Sequence, residues 1–278
     1  MQQIRLITTD LDGTFLAYGD TPHPDNIKMV EKCHAHGIRV CACSGRPFLA
    51  VRGIVQRAGL DAFCVSNNGT SVVNAYTGEI RYRNRFAPDT VRQLVQACRQ
   101  FDCWTMDVAG QRGMYVCRMD GQIQSQKPER MGQDEWDSMI HFTSLEQMLQ
   151  AAEDDAERIG FGLNHPENMC LDAVSQACNA ITPVEVTSTD LRFVEVTPAY
   201  GTKAEAISVL AGMYGCKPEN VLALGDGFND LHMLLWAGTG VAMGNADDRL
   251  KAVADYVTIK NSEGGFAQAI ERIVFEGR

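Results

Sequence analysis

The residues best able to do chemistry come in four short groups. Asp10-Leu11-Asp12-Gly13-Thr14 sets two carboxylates two residues apart after an apolar run, and Ser44-Gly45-Arg46 follows a second such run. Lys203 opens a helix-like segment, and Gly225-Asp226-Gly227-Phe228-Asn229-Asp230 closes a later apolar run. A carboxylate beside a divalent cation and a lysine can attack phosphorus and form an aspartyl phosphate. Cation and ammonium together neutralise the phosphoryl oxygens that otherwise repel the attacking group. Asp10, Asp226 and a backbone carbonyl near Asp12 offer the hard oxygen ligands that Mg²⁺ prefers. The second carboxylate, Asp12, can protonate the leaving alcohol and then deprotonate the water that opens the acyl phosphate. Gly13 lets the backbone approach a phosphate closely, while the Ser44 hydroxyl and the Gly45 amide add neutral donors.

Each group alone has an ordinary reading. Asp-x-Asp-Gly-Thr can be a turn closed by its own side chains, or part of a calcium loop. The EF-hand pattern is incomplete, however, because its twelfth position counted from Asp10 is Thr21 rather than Glu. A serine ending a strand and a lysine in a first helical turn are commonplace. What argues for function is their arrangement, because ligands of open α/β sheets bind beyond the carboxyl ends of the strands.

The elements that must position these groups alternate in period. Residues 4–10 (IRLITTD), 38–44 and 62–67 read as buried strands, separated by helices over 25–36 and 47–58 that stop at Gly37 and Gly59. The last third repeats the rhythm: helices over 202–214, 229–237, 247–254 and 264–275, and strands over 220–226, 240–243 and 256–259. This predicts an α/β fold with a doubly wound parallel sheet built from both ends of the chain. The middle differs. A hairpin turn at Tyr76-Thr77-Gly78-Glu79 leads to a helix over 88–101, strands over 103–108 and 113–118, and polar helices, the pattern of an inserted α+β domain. Its acidic run, Glu153-Asp154-Asp155 with Glu157, reads as a solvated helix face.

Composition narrows the partners. The 278 residues are 45% hydrophobic, with 25 Lys plus Arg against 35 Asp plus Glu, a formal net charge of −10. A uniformly acidic surface disfavours nucleic acid and anionic membranes, but leaves open an anionic small molecule in a locally positive or metal-bearing pocket. No apolar run approaches the roughly 20 residues that span a bilayer. The start of the chain has no apolar signal segment, so a cytoplasmic location is expected. The ten cysteines are irregularly spaced and read as reduced, buried small hydrophobes. Gly238-Thr239-Gly240-Val241-Ala242-Met243-Gly244 lacks the order and position of a dinucleotide loop, and the six histidines form no zinc motif. Of these, His165 beside Pro166 is a candidate for a substrate mouth.

Taken together, DLDGT, SGR, the lysine of GTKAEAI and GDGFND resemble the haloacid dehalogenase-like hydrolase superfamily, in its Cof-type branch with an inserted α/β cap. The resemblance makes residues 1–82 and 191–278 a Rossmann-like catalytic core and 83–190 the cap that selects substrate. It implies that Asp10 is nucleophile and metal ligand, with the Leu11 amide on phosphate. Asp12 would be the general acid/base and a metal ligand through its carbonyl. Ser44, Gly45 and Asn229 would contact phosphate and Lys203 would balance its charge. Asp226 would complete the Mg²⁺ site, supported by Asp230. Three positions depart from the pattern: Gly227 removes a polar side chain, Ser44 replaces a more usual Thr, and Thr70 a more usual Ala near the substrate mouth. The implied activity is Mg²⁺-dependent hydrolysis of a small phosphorylated metabolite, such as a sugar phosphate. Two alternatives stand beside it: a phosphotransferase or phosphomutase of the same fold, and a non-catalytic phosphometabolite-binding protein. Oligomeric state is not legible in the sequence.

Overall fold

The computed structural model describes residues 3–129, 131–165, 167, 170–188 and 192–277. Strands Leu6–Thr9, Arg39–Ala42, Val221–Gly225, Thr239–Ala242 and Tyr256–Val257 form a five-stranded sheet in which every pairing is parallel. Leu6–Thr9 lies between Arg39–Ala42 and Val221–Gly225, so the strand ends carrying Asp10, Ser44 and Asp226 are neighbours. Successive side chains of a strand point to opposite faces. Ile7, Val40, Leu222 and Val241 therefore turn to one core, shared with helices Pro24–Ala35, Phe48–Ala58 and Gly265–Ile270. Leu6, Cys41, Val221 and Ala242 turn to the other, against helices Lys203–Met213 and Leu231–Trp236. Burial on both faces is why these strands read as continuous apolar runs. The expected doubly wound sheet is present.

The run over 62–67 behaves differently from its expected role as a third strand of that sheet. Phe63–Ser66 meets the parallel sheet through one bridge, Cys43 to Val65, and otherwise pairs antiparallel with Ser71–Asn74, which in turn pairs with Ile80–Arg83. The cause is the turn Asn67–Gly69, whose three residues all have positive φ and send the chain straight back.

The middle of the chain builds a second, six-stranded sheet. Its order is Met139–Phe142, Met114–Arg118, Cys103–Ala109, Arg158–Leu163, Phe193–Pro198, Val184–Ser188. One face, with Met106, Val108, Ile159, Phe161, Val194 and Val196, packs on helices Pro88–Cys98, Leu145–Ala152 and Leu171–Asn179. The intervening positions are buried but polar: Thr105, Asp107, Arg158, Glu195 and Thr197. The expected boundary at 190/191 lies outside the described residues. Phe193–Pro198, which that boundary assigns to the core, is instead paired with Arg158–Leu163 and Val184–Ser188 in the second sheet. Its Val-Glu-Val-Thr alternation suits a strand with one apolar and one polar face, unlike Val221–Gly225 of the parallel sheet, which is apolar throughout and buried on both faces. All ten cysteines are free thiols, and eight of them are buried. Among the described residues no helix is long and apolar enough to cross a membrane.

Candidate active site

Asp10 follows the central strand, and its N–H donates to the Leu224 carbonyl at 2.9 Å, tying two strand ends together. Its side chain is buried, and Oδ1 accepts a hydrogen bond from Lys203 Nζ at 2.6 Å. Lys203 begins a helix capped by the Thr202 hydroxyl, which accepts from the Glu205 amide. Gly69, at φ +104°, lies so close to the Thr202 carbonyl that any Cβ there would overlap it, and this approach seats the helix start. Lys203 Nζ also donates to Asp230 Oδ1 at 2.5 Å. Asp230 Oδ2 accepts the amides of Asp226 and Gly227 at 2.9 and 3.0 Å. With both oxygens engaged, Asp230 fixes the loop that carries Asp226. Asp226 itself accepts from Thr14 Oγ1 at 2.9 Å and Asn245 Nδ2 at 3.2 Å.

One carboxylate oxygen from each of Asp10, Asp226 and Asp230 lies within 4.8 Å of the others. Two of the three, Asp10 and Asp230, pair with the Lys203 ammonium group. Burial drives the Asp10 carboxyl well above its ordinary range, with Lys203 opposing and Asp230 and Asp226 adding to the rise. Burial, then the neighbouring Asp230, pushes Asp226 up to about 7. Lys203 is shifted up: burial alone would lower it, but Asp10 and Asp230 outweigh that cost. An oxygen-only donor set with surplus negative charge fits a hard divalent cation such as Mg²⁺. Gly13 permits the cluster: at φ +71° it packs against Asp226, and a Cβ there would overlap the Asp226 carboxylate.

Asp12 faces elsewhere. Its two oxygens accept from Arg46 Nε at 2.7 Å and Nη2 at 2.6 Å, and its side chain is 56% exposed. Leu11 buries its side chain in the core, and its carbonyl accepts the Leu16 amide. Ser44 is buried, and its hydroxyl accepts the Arg46 amide at 3.1 Å. Asn229 Nδ2 donates to Asn68 Oδ1 at 3.0 Å. Gly45, Gly227 and Asn229 join Asp10, Asp12 and Asp226 in lining a cleft of about 370 Å³.

Residues that the sequence reading left without a role complete this cleft. Arg46 lies on its wall, as do Glu135, Arg158 and Glu195 from the middle of the chain. Arg158 donates to Glu195, to Asp107 Oδ1 at 2.8 Å and to the Gly45 carbonyl at 3.2 Å, and so bridges the two sheets. Burial raises the Glu135 carboxyl, with Arg46 opposing. The signal for Asp107, Arg158 and Glu195 was present as single charged residues inside strands of alternating polarity. Glu157 corrects an expectation, being fully buried rather than on a solvated helix face. It accepts from Arg83 Nε at 2.6 Å and Asn67 Nδ2 at 2.9 Å. Asp155 is buried too, paired with Arg83 at 2.5 Å, because both acids follow the helix Leu145–Ala152 rather than lying on it. Thr70 is buried, with its hydroxyl near Glu157, and does not line the cleft. His165 is exposed beside Glu167, away from the cleft lining, while Pro166 lies outside the described residues.

Similarities to known proteins agree with this geometry. A family model described as haloacid dehalogenase-like hydrolase matches residues 7–270. The chain is 25% identical over 271 residues to 5-amino-6-(5-phospho-D-ribitylamino)uracil phosphatase YcsE of Bacillus subtilis, covering 98% of this chain and 96% of that one. It is 26% identical to pyridoxal phosphate phosphatase YbhA of Escherichia coli, covering 96% and 97% respectively. Among solved structures, a haloacid dehalogenase-like hydrolase from Bacteroides thetaiotaomicron superposes with a TM-score of 0.78 at 27% identity, over 98% of this chain and 100% of the other. One from B. subtilis superposes at 0.81 and 22% identity, over 97% and 100%.

Proposed function

The chain belongs to the haloacid dehalogenase-like hydrolases and is a phosphatase of that family, and from there we propose that it hydrolyses a small phosphorylated metabolite, with Mg²⁺, through a phosphoryl group carried on Asp10. The carrying observation is the Asp10 carboxylate at a central strand end, one oxygen gripped by Lys203, inside a cluster with Asp226 and Asp230. Asp10, Asp226 and the Asp12 carbonyl would hold the metal, with Asp230 fixing the loop behind them. When bound, Mg²⁺ supplies positive charge that offsets the phosphoryl oxygens.

The remaining steps belong to the protein's own groups. The ester enters with its phosphate toward Asp10, where the Leu11 and Gly45 amides, the Ser44 hydroxyl, Asn229 and Lys203 receive it. An Asp10 oxygen attacks phosphorus while the bond to the leaving oxygen breaks, and the Asp12 proton passes to that oxygen. Water then attacks the phosphorus, giving a proton to Asp12, and the bond to Asp10 breaks. The sum is ester plus water to alcohol plus inorganic phosphate. The middle segment, proposed as a cap over a core formed by both chain ends, contributes Glu135, Arg158 and Glu195 to the cleft lining, where they would face the leaving group. Two relatives carry names of phosphatases of small phosphomonoesters, which supports a substrate of that size and a sugar phosphate or its kin as the first to assay. The acidic chain disfavours nucleic acid and anionic membranes as partners, and the cytoplasm is the location we propose.

The test is phosphate release over a panel of phosphorylated metabolites. EDTA should abolish turnover and Mg²⁺ restore it. Asp10→Asn should fall to background with no phosphoenzyme detected, and substantial remaining activity in that variant would remove the covalent mechanism.

A further inference from the structure

Asp20 takes no part in the chemistry above, yet it joins the acid of that chemistry to the cap. It sits in the turn between the short strands Leu16–Tyr18 and Thr21–Pro22, with its side chain 13% exposed. Arg46, itself buried, reaches both aspartates: Nε and Nη2 hold the two oxygens of Asp12, and Nη1 donates to Asp20 Oδ1 at 2.5 Å. The other Asp20 oxygen, Oδ2, accepts the backbone N–H of Asp134 at 3.0 Å, in the cap segment Gln133–Asp137. Asp134 also pairs through its side chain with Arg57, on the core helix Phe48–Ala58. Gly132 makes the approach possible, because a Cβ there would collide with Asp20 Oδ1.

We propose that Asp20 is a positioning residue that couples docking of the cap to the orientation of Asp12. With the cap seated, the Asp134 amide fixes Asp20, Asp20 fixes Arg46, and Arg46 holds the half-exposed Asp12 carboxylate at the cleft. Without that amide, Asp20 has one anchor fewer, and through it Arg46 and Asp12 have a less defined place. The group that exchanges the proton is thereby best placed when the cleft is covered. The proposal rests on Asp12 being the proton donor.

The test uses the full chain with Mg²⁺ and a series of substituted phenyl phosphates whose leaving groups differ in acidity. A well-placed acid matters most for poor leaving groups, so its misplacement steepens the dependence of rate on leaving-group pKa. Asp20→Ala and Gly132→Ala attack the contact from its two sides. Each should lower kcat on phenyl phosphate about tenfold, part of the roughly 10²–10⁴-fold that proton donation supplies, while 4-nitrophenyl phosphate loses under about threefold. Thermal melting confirms that both variants fold. A slope equal to wild type in both variants overturns the coupling, whatever the absolute rates. Asp12→Asn separates the two levels. If it steepens the slope while Asp20→Ala does not, only the coupling fails. If Asp12→Asn leaves the slope unchanged, the assignment of Asp12 fails and the coupling with it.

Discussion

Asp10 and Asp12 leave the same strand end but meet different neighbours. Lys203 grips the first inside a buried cluster, whereas Arg46 holds the second where substrate can reach it. Replacing Asp12 with Asn should therefore spare the metal cluster and slow proton transfer. We expect alkyl phosphates to lose about 10²–10⁴-fold in kcat, aryl phosphates with good leaving groups less, and phosphoenzyme to persist longer. Gly13→Ala should do the reverse. A residue with a side chain pays about 1–2 kcal/mol at this left-handed φ, and its Cβ would displace Asp226 from its place beside Asp10. Mg²⁺ titrations of activity and binding calorimetry should both show weakened affinity, by about tenfold or more. Unaltered Mg²⁺ affinity would mean that Asp226 is not a ligand. At this scale the grouping was legible, since neighbouring parallel strand ends and one helix start bring Asp10, Asp226, Asp230 and Lys203 together. Arg46 was visible within Ser-Gly-Arg but had no assignable role. Its partner Asp20 lies in a turn whose closeness to Arg46 no local spacing encodes.

Elements were legible where periodicity decides them and not where a turn or a distant strand does. The strands Leu6–Thr9 and Val221–Gly225 are buried on both faces, between two helix layers. Phe63–Ser66 looks the same in sequence, but the tight turn after it commits it to a hairpin. Phe193–Pro198 was misplaced because its register partners, Arg158–Leu163 and Val184–Ser188, are set by tertiary packing. The turn carrying Asp20 gives an expectation at this scale. Burial alone would raise the Asp20 carboxyl, but hydrogen bonds from Arg46 and the Asp134 amide hold it below its ordinary value. A depressed folded-state pKa contributes stability above the unfolded value and loses it as pH falls through the folded one. The urea midpoint of wild type should exceed that of Asp20→Asn at pH 7. The gap should narrow below about pH 4 and close once Asp20 is protonated in the folded state. A gap that did not depend on pH would show that the charge of Asp20 contributes nothing.

Across the whole molecule, Glu157 is one of the buried points, with Arg158 and Glu195, at which the middle of the chain is tied to the segments around the parallel sheet. It is fully buried and precedes the cap strand Arg158–Leu163. It accepts hydrogen bonds from Arg83 at 2.6 Å and Asn67 at 2.9 Å, both in the hairpin segment that follows Phe63–Ser66, and from Gln111 at 2.8 Å in the loop after Cys103–Ala109. Its reading as a solvated acid failed because burial here depends on residues more than seventy positions away, which no local pattern reports. Removing one partner of a buried charge pair commonly costs about 3–5 kcal/mol, because the other is left uncompensated. Arg83 is partly exposed and keeps Asp155 as a second anion, so Glu157→Ala should fall at the lower end of that range. Glu157→Gln keeps an acceptor and the shape, and should cost less. The Asp10–Asp226–Asp230 cluster proposed to hold the metal shares no residue with this network, so Mg²⁺ affinity should hold in both variants. Calorimetry should show the transition of Glu157→Ala broadening or splitting, as the cap loses its buried tie and begins to unfold before the core. A single transition at the wild-type temperature would mean that Arg83 and Asn67 find other partners, and that the two sheets are held together elsewhere, at Arg158 and at the Arg57–Asp134 pair.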